Sequence, residues 1–126
     1  MATPSRVDLH AHSTASDGTD TPAELVRHAA EAGLDVVALT DHDGAGGWAG
    51  ALEALPPGLT LVRGMEISCV AQVDGRAVSL HLLAYLADPD DPALSGELAA
   101  LRESRLGRGE AIVRRLIDAG HPVTWE

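Results

Sequence analysis

The chain has 126 residues, enough for about one domain, and carries a formal net charge of −10. Such a surface repels phosphate backbones, which excludes bulk nucleic-acid binding through a basic patch. A hydrophobic fraction of 45% argues against disorder, a single cysteine excludes an internal disulfide framework, and no apolar run is long enough for a membrane-spanning helix.

Val7 to His10 reads as a short apolar strand, followed by a polar loop to Asp20. Thr21-Pro22-Ala23-Glu24 spells a capping box with proline at the first helical position. The helix it opens places Leu25, Val26, Ala29 and Ala30 on one face and stops at Gly33. Val36 to Thr40 is continuously apolar, as a strand covered on both faces should be. A glycine-rich turn (Gly44, Gly46, Gly47) leads to a weak helix from Trp48 to Leu55, ended by Pro56-Pro57-Gly58. A third strand runs from Thr60 to Met65 and reaches Glu66. Ile67 to Val73 and Arg76 to Leu83 flank Asp74-Gly75, a hairpin signal. A helical stretch from Ala93 to Ala119 carries an apolar stripe of Leu94, Leu98, Leu101, Ile112, Leu116 and Ala119. Gly107 and Gly109 weaken its middle and suggest a division into two helices. The expected organisation is residues 1–91 followed by a helical segment, residues 92–126. Met1 to Asp8 lacks a charged region followed by an apolar one, so no leader and a cytoplasmic location are expected.

Strand–helix–strand–helix–strand is the start of a parallel α/β fold. Its polar clusters fall at strand C-termini, the edge where α/β barrels and open sheets place their chemistry. His10 and His12 are two apart on an extended segment, so both imidazoles can meet one ion. Asp17, beside Gly18, adds a carboxylate from a loop that can fold back. His42 faces the same rim from the second strand. Its neighbour Asp41 is placed to orient an imidazole from behind, whereas Asp43 better suits capping the next helix. Asp8 is a third candidate for a supporting carboxylate. Glu66 ends an apolar strand, where a buried carboxylate needs a partner or an ion, and its two oxygens can bridge two ions. His81, between Leu80 and Leu82, is ambiguous by itself, because a lone histidine there is more often a satisfied core residue. Four histidines and two carboxylates exceed the four ligands of one tetrahedral zinc and point to a site for two or three divalent ions of Mn, Zn or Fe type. No Ser/His or Cys/His arrangement supplies a protein nucleophile. Cys69 reads as packing, and His28 and His121 as surface residues.

Asp8-Leu9-His10-Ala11-His12-Ser13-Thr14-Ala15-Ser16-Asp17-Gly18, Thr40-Asp41-His42-Asp43, Gly64-Met65-Glu66-Ile67-Ser68 and His81 together closely resemble the PHP (polymerase and histidinol phosphatase) family. The order and spacing match over nearly the whole chain. The resemblance is nearest to stand-alone bacterial metal-dependent phosphoesterases, and Gly120-His121-Pro122-Val123-Thr124-Trp125-Glu126 resembles a segment of that subgroup. It implies the N-terminal half of a distorted seven-stranded β/α barrel, with a β-hairpin and the start of a helical insertion. It further implies that His10 and His12 hold one ion, that Glu66 bridges it to a second held by His81, and that Asp17 and His42 hold a third. Three more family ligands, a His and an Asp-x-His pair, have no matching position in this chain. Gly44 stands where relatives often carry Thr.

The expected reaction is hydrolysis of a phosphate monoester by metal-activated hydroxide. The expected partner is a small phosphorylated substrate, a nucleotide such as a nucleoside 3′,5′-bisphosphate or the 5′ end of a short RNA, with no membrane partner. Arg102, Arg105 and Arg108 recur at i, i+3, i+6 and suit phosphate contact. A solvated face paired with Glu97, Glu103 and Glu110 suits them equally. Competing readings are a truncated, non-catalytic metal-binding fragment, a histidinol-phosphate phosphatase and an amidohydrolase, the last unsupported by the spacing of Asp17, His42 and Glu66.

Overall fold

The computed structural model describes residues 5–125. Residues 1–4, part of the stretch read for a leader, and residue 126, the last of the Gly-x-Pro segment, lie outside the described residues. The chain falls into two compact units, one ending at Pro89 and the other starting at Asp90.

In the first unit, β1 (Val7–Ala11), β2 (Val36–Leu39), β3 (Thr60–Val73) and β4 (Arg76–Tyr85) form a mixed sheet in that order. β1, β2 and β3 are parallel, and β4 returns antiparallel to β3. Helix α1 (Pro22–Glu31) links β1 to β2, and α2 (Trp48–Glu53) links β2 to β3. The core is carried by β2 (Val37, Ala38, Leu39), by Met65, and by Leu25, Val26, Trp48 and Ala51 from the helices. Without phenylalanine, Trp48 is the large anchor. Its indole N–H donates to the Gly64 carbonyl at 2.9 Å, satisfying the polar end of a buried ring. The Tyr85 hydroxyl donates to the Leu9 carbonyl at 2.8 Å, tying the end of the fourth strand to the first. Across a flat sheet those strands would be about 14 Å apart, so the sheet is curled.

The α1 capping box forms as expected. Thr21 Oγ1 accepts from the Glu24 N–H at 3.2 Å, and Glu24 accepts from the Thr21 N–H at 2.9 Å. Hydrogen bonds donated by the Thr21 hydroxyl, at 2.6 Å, and by the Thr21 N–H hold the Glu24 carboxyl below its ordinary range. Gly33, at φ 77°, closes the helix. The Asp74-Gly75 turn has φ of 49° and 74°, the pattern of a two-residue hairpin.

His28 is on the surface, with Nδ1 2.6 Å from Asp20 Oδ2. This hydrogen bond raises the imidazole pKa above its ordinary value. A raised folded-state pKa stabilises the fold below the unfolded-state value, and the contribution is lost as pH rises through the folded-state value. We expect the His28 ring to titrate by NMR above the usual histidine range and to return to it in Asp20→Asn. An unchanged midpoint in that variant would remove the assignment.

Two expectations are corrected. The third strand and the first arm of the hairpin are one 14-residue strand, β3. β3 changes partner, not direction: residues 60–63 pair with β2 and residues 64–73 with β4. Gly64 sits at the changeover, where a Cβ would meet Thr40 Cγ2 at 2.8 Å and the Tyr85 ring at 3.0 Å.

The second correction concerns the other unit. Its helix, α3 (Pro92–Asp118), is one helix and continues unbroken through Gly107 and Gly109. Asp91 caps it by accepting from the N–H groups of Ala93 and Leu94, with Pro92 in the first turn. A glycine costs a helix about 1 kcal/mol, too little by itself to break 27 residues started by a good cap. The apolar stripe is buried only at Leu98, half-buried at Leu94 and Leu101, and exposed at Ile112, Leu116 and Ala119.

Candidate metal centre

The site is built where β1 and β2 end and β3 runs on past them, with β4 returning beside it. Beyond β2 the chain runs on beside β3: the Glu66 N–H donates to the Asp41 carbonyl and the Asp43 N–H to the Glu66 carbonyl. That pairing sets His42 directly beside Glu66. On β4, Leu83 is opposite Glu66 and His81 is opposite Ser68, so His81 is the diagonal neighbour of Glu66 on the same face. After β1 the loop folds back, with Ser13 O accepting from the N–H groups of Ser16 and Gly18. Any Cβ at Gly18 would overlap the His12 carbonyl, so this turn requires glycine. The turn brings Asp17 beside the histidines.

The result is one buried carboxylate ringed by imidazoles. Nε2 of His10 and Nε2 of His12 lie 2.8 and 2.9 Å from Glu66 Oε2, and His81 Nδ1 lies 2.6 Å from Oε1. Asp17 Oδ1 is 3.2 Å from His12 Nδ1, and its Oδ2 is 3.5 Å from His42 Nε2. The rings of His10, His12, His42 and His81 follow one another at centroid spacings of 5.0, 4.8 and 5.0 Å. The Glu66 side chain is 8% exposed, while His10, His81 and Asp17 are 49%, 46% and 67% exposed, so the bowl is buried at its floor and open at its rim. Burial pushes the Glu66 carboxyl up. Hydrogen bonds from His10 and His81 and the nearby charge of His42 outweigh it and hold the carboxyl below its ordinary range.

The donor set fits divalent metal ions. Three overlapping groups, His10/His12/Glu66, His12/Asp17/His42 and His42/Glu66/His81, each bring their ligand atoms within 4.8 Å of one another. The 3.5 and 3.7 Å separations from His42 Nε2 to Asp17 and Glu66 are too long for good hydrogen bonds. Among the described residues His42 Nδ1 is buried without a hydrogen-bond partner, so their hydrogen bonding does not satisfy this ring. Three protein ligands per ion also leave coordination positions open, as catalytic sites require.

Residues 8–117 match the PHP domain family. The chain belongs to it. Among PHP relatives, it is 38% identical over 115 residues to a 3′,5′-nucleoside bisphosphate phosphatase of Chromobacterium violaceum, covering 90% of this chain and 39% of the relative. It is also 38% identical over 122 residues to the 5′-3′ exoribonuclease Rnm of Salmonella typhimurium, covering 94% of this chain and 40% of the relative. A solved structure named as a metal-dependent phosphoesterase, from Bifidobacterium adolescentis, superposes with a TM-score of 0.85 at 41% identity, covering 98% of this chain and 42% of its own. The chain therefore spans about two fifths of the length of these PHP proteins.

Around the PHP site the three supporting carboxylates differ in what they hold. Asp41, 1% exposed, accepts from the Ser13 N–H, the Ser13 hydroxyl and the Ser16 hydroxyl, each at 2.7 Å. It therefore touches the imidazoles only through Ser16. Asp43 does not cap α2, whose N-cap is Gly47 without a side-chain bond. It accepts instead from the Ser68 N–H at 2.7 Å and the Ser68 hydroxyl at 3.1 Å, since its backbone is already committed to the rim of β3. Asp8 accepts from the His10 N–H at 3.0 Å, which supports the backbone of that ligand.

Arg102, Arg105 and Arg108 are exposed on α3 in the second unit. Glu110, read as a partner for these arginines, pairs with Arg114 at 3.1 Å. Cys69 is a half-buried free thiol whose Sγ lies 3.5 Å from the Ile67 carbonyl. Ser13, Ser16 and Ser68 were not singled out by the sequence. Their only signal was a hydroxyl residue recurring inside each ligand-bearing stretch.

Proposed function

We propose that the chain forms the N-terminal part of a metal-dependent phosphoesterase that hydrolyses a phosphate monoester of a small nucleotide. The observation that carries this is the convergence of His10, His12, His42 and His81 on the buried carboxylate of Glu66, with Asp17 beside His12 and His42. Two or three divalent ions, of Mn, Zn or Fe type, would be held by these six residues. Bound divalent ions supply Lewis acidity, which neutralises phosphoryl charge and makes hydroxide accessible near neutral pH. Glu66 holds its two oxygens toward different histidines, Oε2 toward His10 and His12 and Oε1 toward His81, as a bridging ligand must. Asp41, Asp43 and Asp8 fix the backbone segments that carry the ligands.

An acidic chain needs such cations to accept an anionic substrate. The relatives named as a bisphosphate phosphatase and as an exoribonuclease both act on phosphoesters, which supports a nucleotide or the 5′ end of a short RNA. Gripping one RNA end at a metal centre needs no basic patch, so the net charge is compatible with either. In this reading the sheet is the start of a seven-stranded barrel, residues 92–126 begin a helical insertion that offers Arg102, Arg105 and Arg108 to substrate phosphate, and the compartment is the cytoplasm. Among the described residues no helix is long and apolar enough to cross a membrane.

The test is phosphate release from a nucleoside 3′,5′-bisphosphate, a 5′-phosphorylated trinucleotide and histidinol phosphate, with Mn²⁺, Zn²⁺ or Fe²⁺ added to chelator-treated protein. Release from a nucleotide that disappears on chelation and returns with metal is expected. Full metal loading with no hydrolysis of any ester would favour the non-catalytic metal-binding reading.

A further inference from the structure

The parallel ladder between β3 and the segment after β2 ends on a side chain rather than on the backbone. Its last main-chain rungs run from the Glu66 N–H to the Asp41 carbonyl, at 3.2 Å, and from the Asp43 N–H to the Glu66 carbonyl, at 3.0 Å. In a regular parallel ladder the next rung would run from the Ser68 N–H to the Asp43 carbonyl. At Asp43 the backbone instead turns into the left-handed region, at φ 50°, and leaves β3. Aspartate and asparagine enter that region more readily than other residues with a side chain. The Asp43 carboxylate takes the place of its own carbonyl: Oδ1 accepts from the Ser68 N–H at 2.7 Å, and Oδ2 accepts from the Ser68 hydroxyl at 3.1 Å. Asp43 is buried, so water competes little for this clamp.

The clamp sits one residue beyond His42. The other histidines of the site have firmer supports, because His10 lies within β1, His12 directly follows it, and His81 lies within β4, which pairs with β3 from Gly64 to Val73. His42 lies past the end of β2 and meets β3 through an isolated bridge to Glu66. Among the described residues Asp43 belongs to none of the three ligand groups. We propose that Asp43 is a positioning residue: through hydrogen bonds, and not through its charge, it fastens the chain to Ser68 and so fixes His42 beside Glu66. The metal-binding consequence rests on the reading proposed above, whereas the clamp itself does not. Loss of the clamp should weaken the two groups that use His42, His12/Asp17/His42 and His42/Glu66/His81, and spare His10/His12/Glu66. A merely structural role would weaken all three alike.

The experiment compares the parent chain with Asp43→Asn and Asp43→Gly. The asparagine oxygen can still accept from the Ser68 N–H, and its amide can donate to the Ser68 hydroxyl, which accepts as well as donates. Glycine adopts φ 50° without strain but has nothing to reach Ser68. In chelator-treated protein, hydrogen exchange at the residue 68 amide reads the clamp. Cross-peaks between the His42 and His12 rings, whose centroids are 4.8 Å apart, read the placement of His42. Calorimetric titration with Zn²⁺ reads affinity and stoichiometry. The parent and Asp43→Asn should share a protected amide, the ring cross-peaks and Zn²⁺ affinities within about threefold, well inside the effect of losing a supporting partner. Asp43→Gly should lose the protection and the cross-peaks, keep one ion at parental affinity and bind the rest about 10-fold more weakly or worse. Asp43→Asn binding Zn²⁺ as weakly as Asp43→Gly would make charge the agent and overturn the proposal. So would Asp43→Gly that keeps the cross-peaks or weakens every ion alike. If Asp43→Gly does not fold, Asp43→Asn decides, since a loss of about 10-fold or more there overturns the proposal and parental affinity supports it. A parent chain that binds no Zn²⁺ overturns the metal reading, and amide exchange and ring cross-peaks then judge the clamp by themselves.

Discussion

Glu66→Gln should remove a ligand from two of the three side-chain groups proposed to hold metal ions. Glu66 belongs to the His10/His12/Glu66 and His42/Glu66/His81 groups, but not to His12/Asp17/His42. The amide keeps the side chain's shape while removing its charge and one of its two acceptor oxygens. Loss of an outer partner costs about 10–100-fold in metal affinity, so loss of a direct, bridging ligand should exceed about 100-fold at both groups. Asp17→Asn should do the reverse, weakening the third group and sparing the other two. Calorimetric titration with Zn²⁺, paired with elemental analysis after desalting, separates the cases. Glu66→Gln should retain at most the one ion of the Asp17 group, and Asp17→Asn should lose that ion alone. Equal stoichiometry and affinity in the parent and Glu66→Gln would show that the carboxylate is no ligand.

The largest effect on stability should come from Asp41→Ala. The parent carboxylate satisfies three donors in a site closed to water. Its removal strands the Ser13 N–H and leaves a cavity where Oδ2 packs against Gly47. Hydrogen bonds to a charged group contribute roughly 1.5–3 kcal/mol each and are not additive, so a loss of about 3–5 kcal/mol is expected. Set against a typical folding free energy of about 5–15 kcal/mol, that is most of the margin of a small domain. With a urea slope of about 2 kcal/mol per molar, the unfolding midpoint should fall by about 2 M. Asp41→Asn, which keeps an acceptor but turns an amide N–H₂ toward one donor, should fall roughly half as far. A midpoint for Asp41→Ala within about 0.5 M of the parent would mean that these hydrogen bonds contribute little net stability.

The clustering of these side chains was legible because histidines and carboxylates are rare along one edge of a sheet. Histidines at 10, 12, 42 and 81 and a glutamate closing an apolar run have few other reasons to share one sheet region, and the structure brings all of them together with Asp17. The supports were less legible, because a serine between ligands reads equally well as a loop residue. Asp43 shows the limit of local rules. Its position before a short helix fits a cap, yet its carboxylate is held by Ser68, 25 residues away on β3, a pairing visible only once the strands are aligned. The same holds for β3. A strand that exchanges a parallel partner for an antiparallel one at Gly64 looks like two strands when each arm is read by its own pattern. In α3 the apolar stripe was read correctly as a stripe, but periodicity does not say what covers it. Past Leu101 its large residues are exposed, apart from a half-buried Val113. The α1 capping box and the Asp-Gly turn were legible for the opposite reason, since each is settled by neighbours within four residues.

The most direct measurement is anomalous diffraction from crystals of the chain soaked in Mn²⁺ or Zn²⁺, with data collected on both sides of the metal absorption edge. At least two edge-dependent peaks are expected within bonding distance of Glu66, one beside His10 and His12 and one beside His81, with the carboxylate between them. Full occupancy of the soak at other surface sites with no peak at Glu66, and its carboxylate still hydrogen-bonded to His10 and His81, would contradict the metal centre and with it the phosphoesterase built on it.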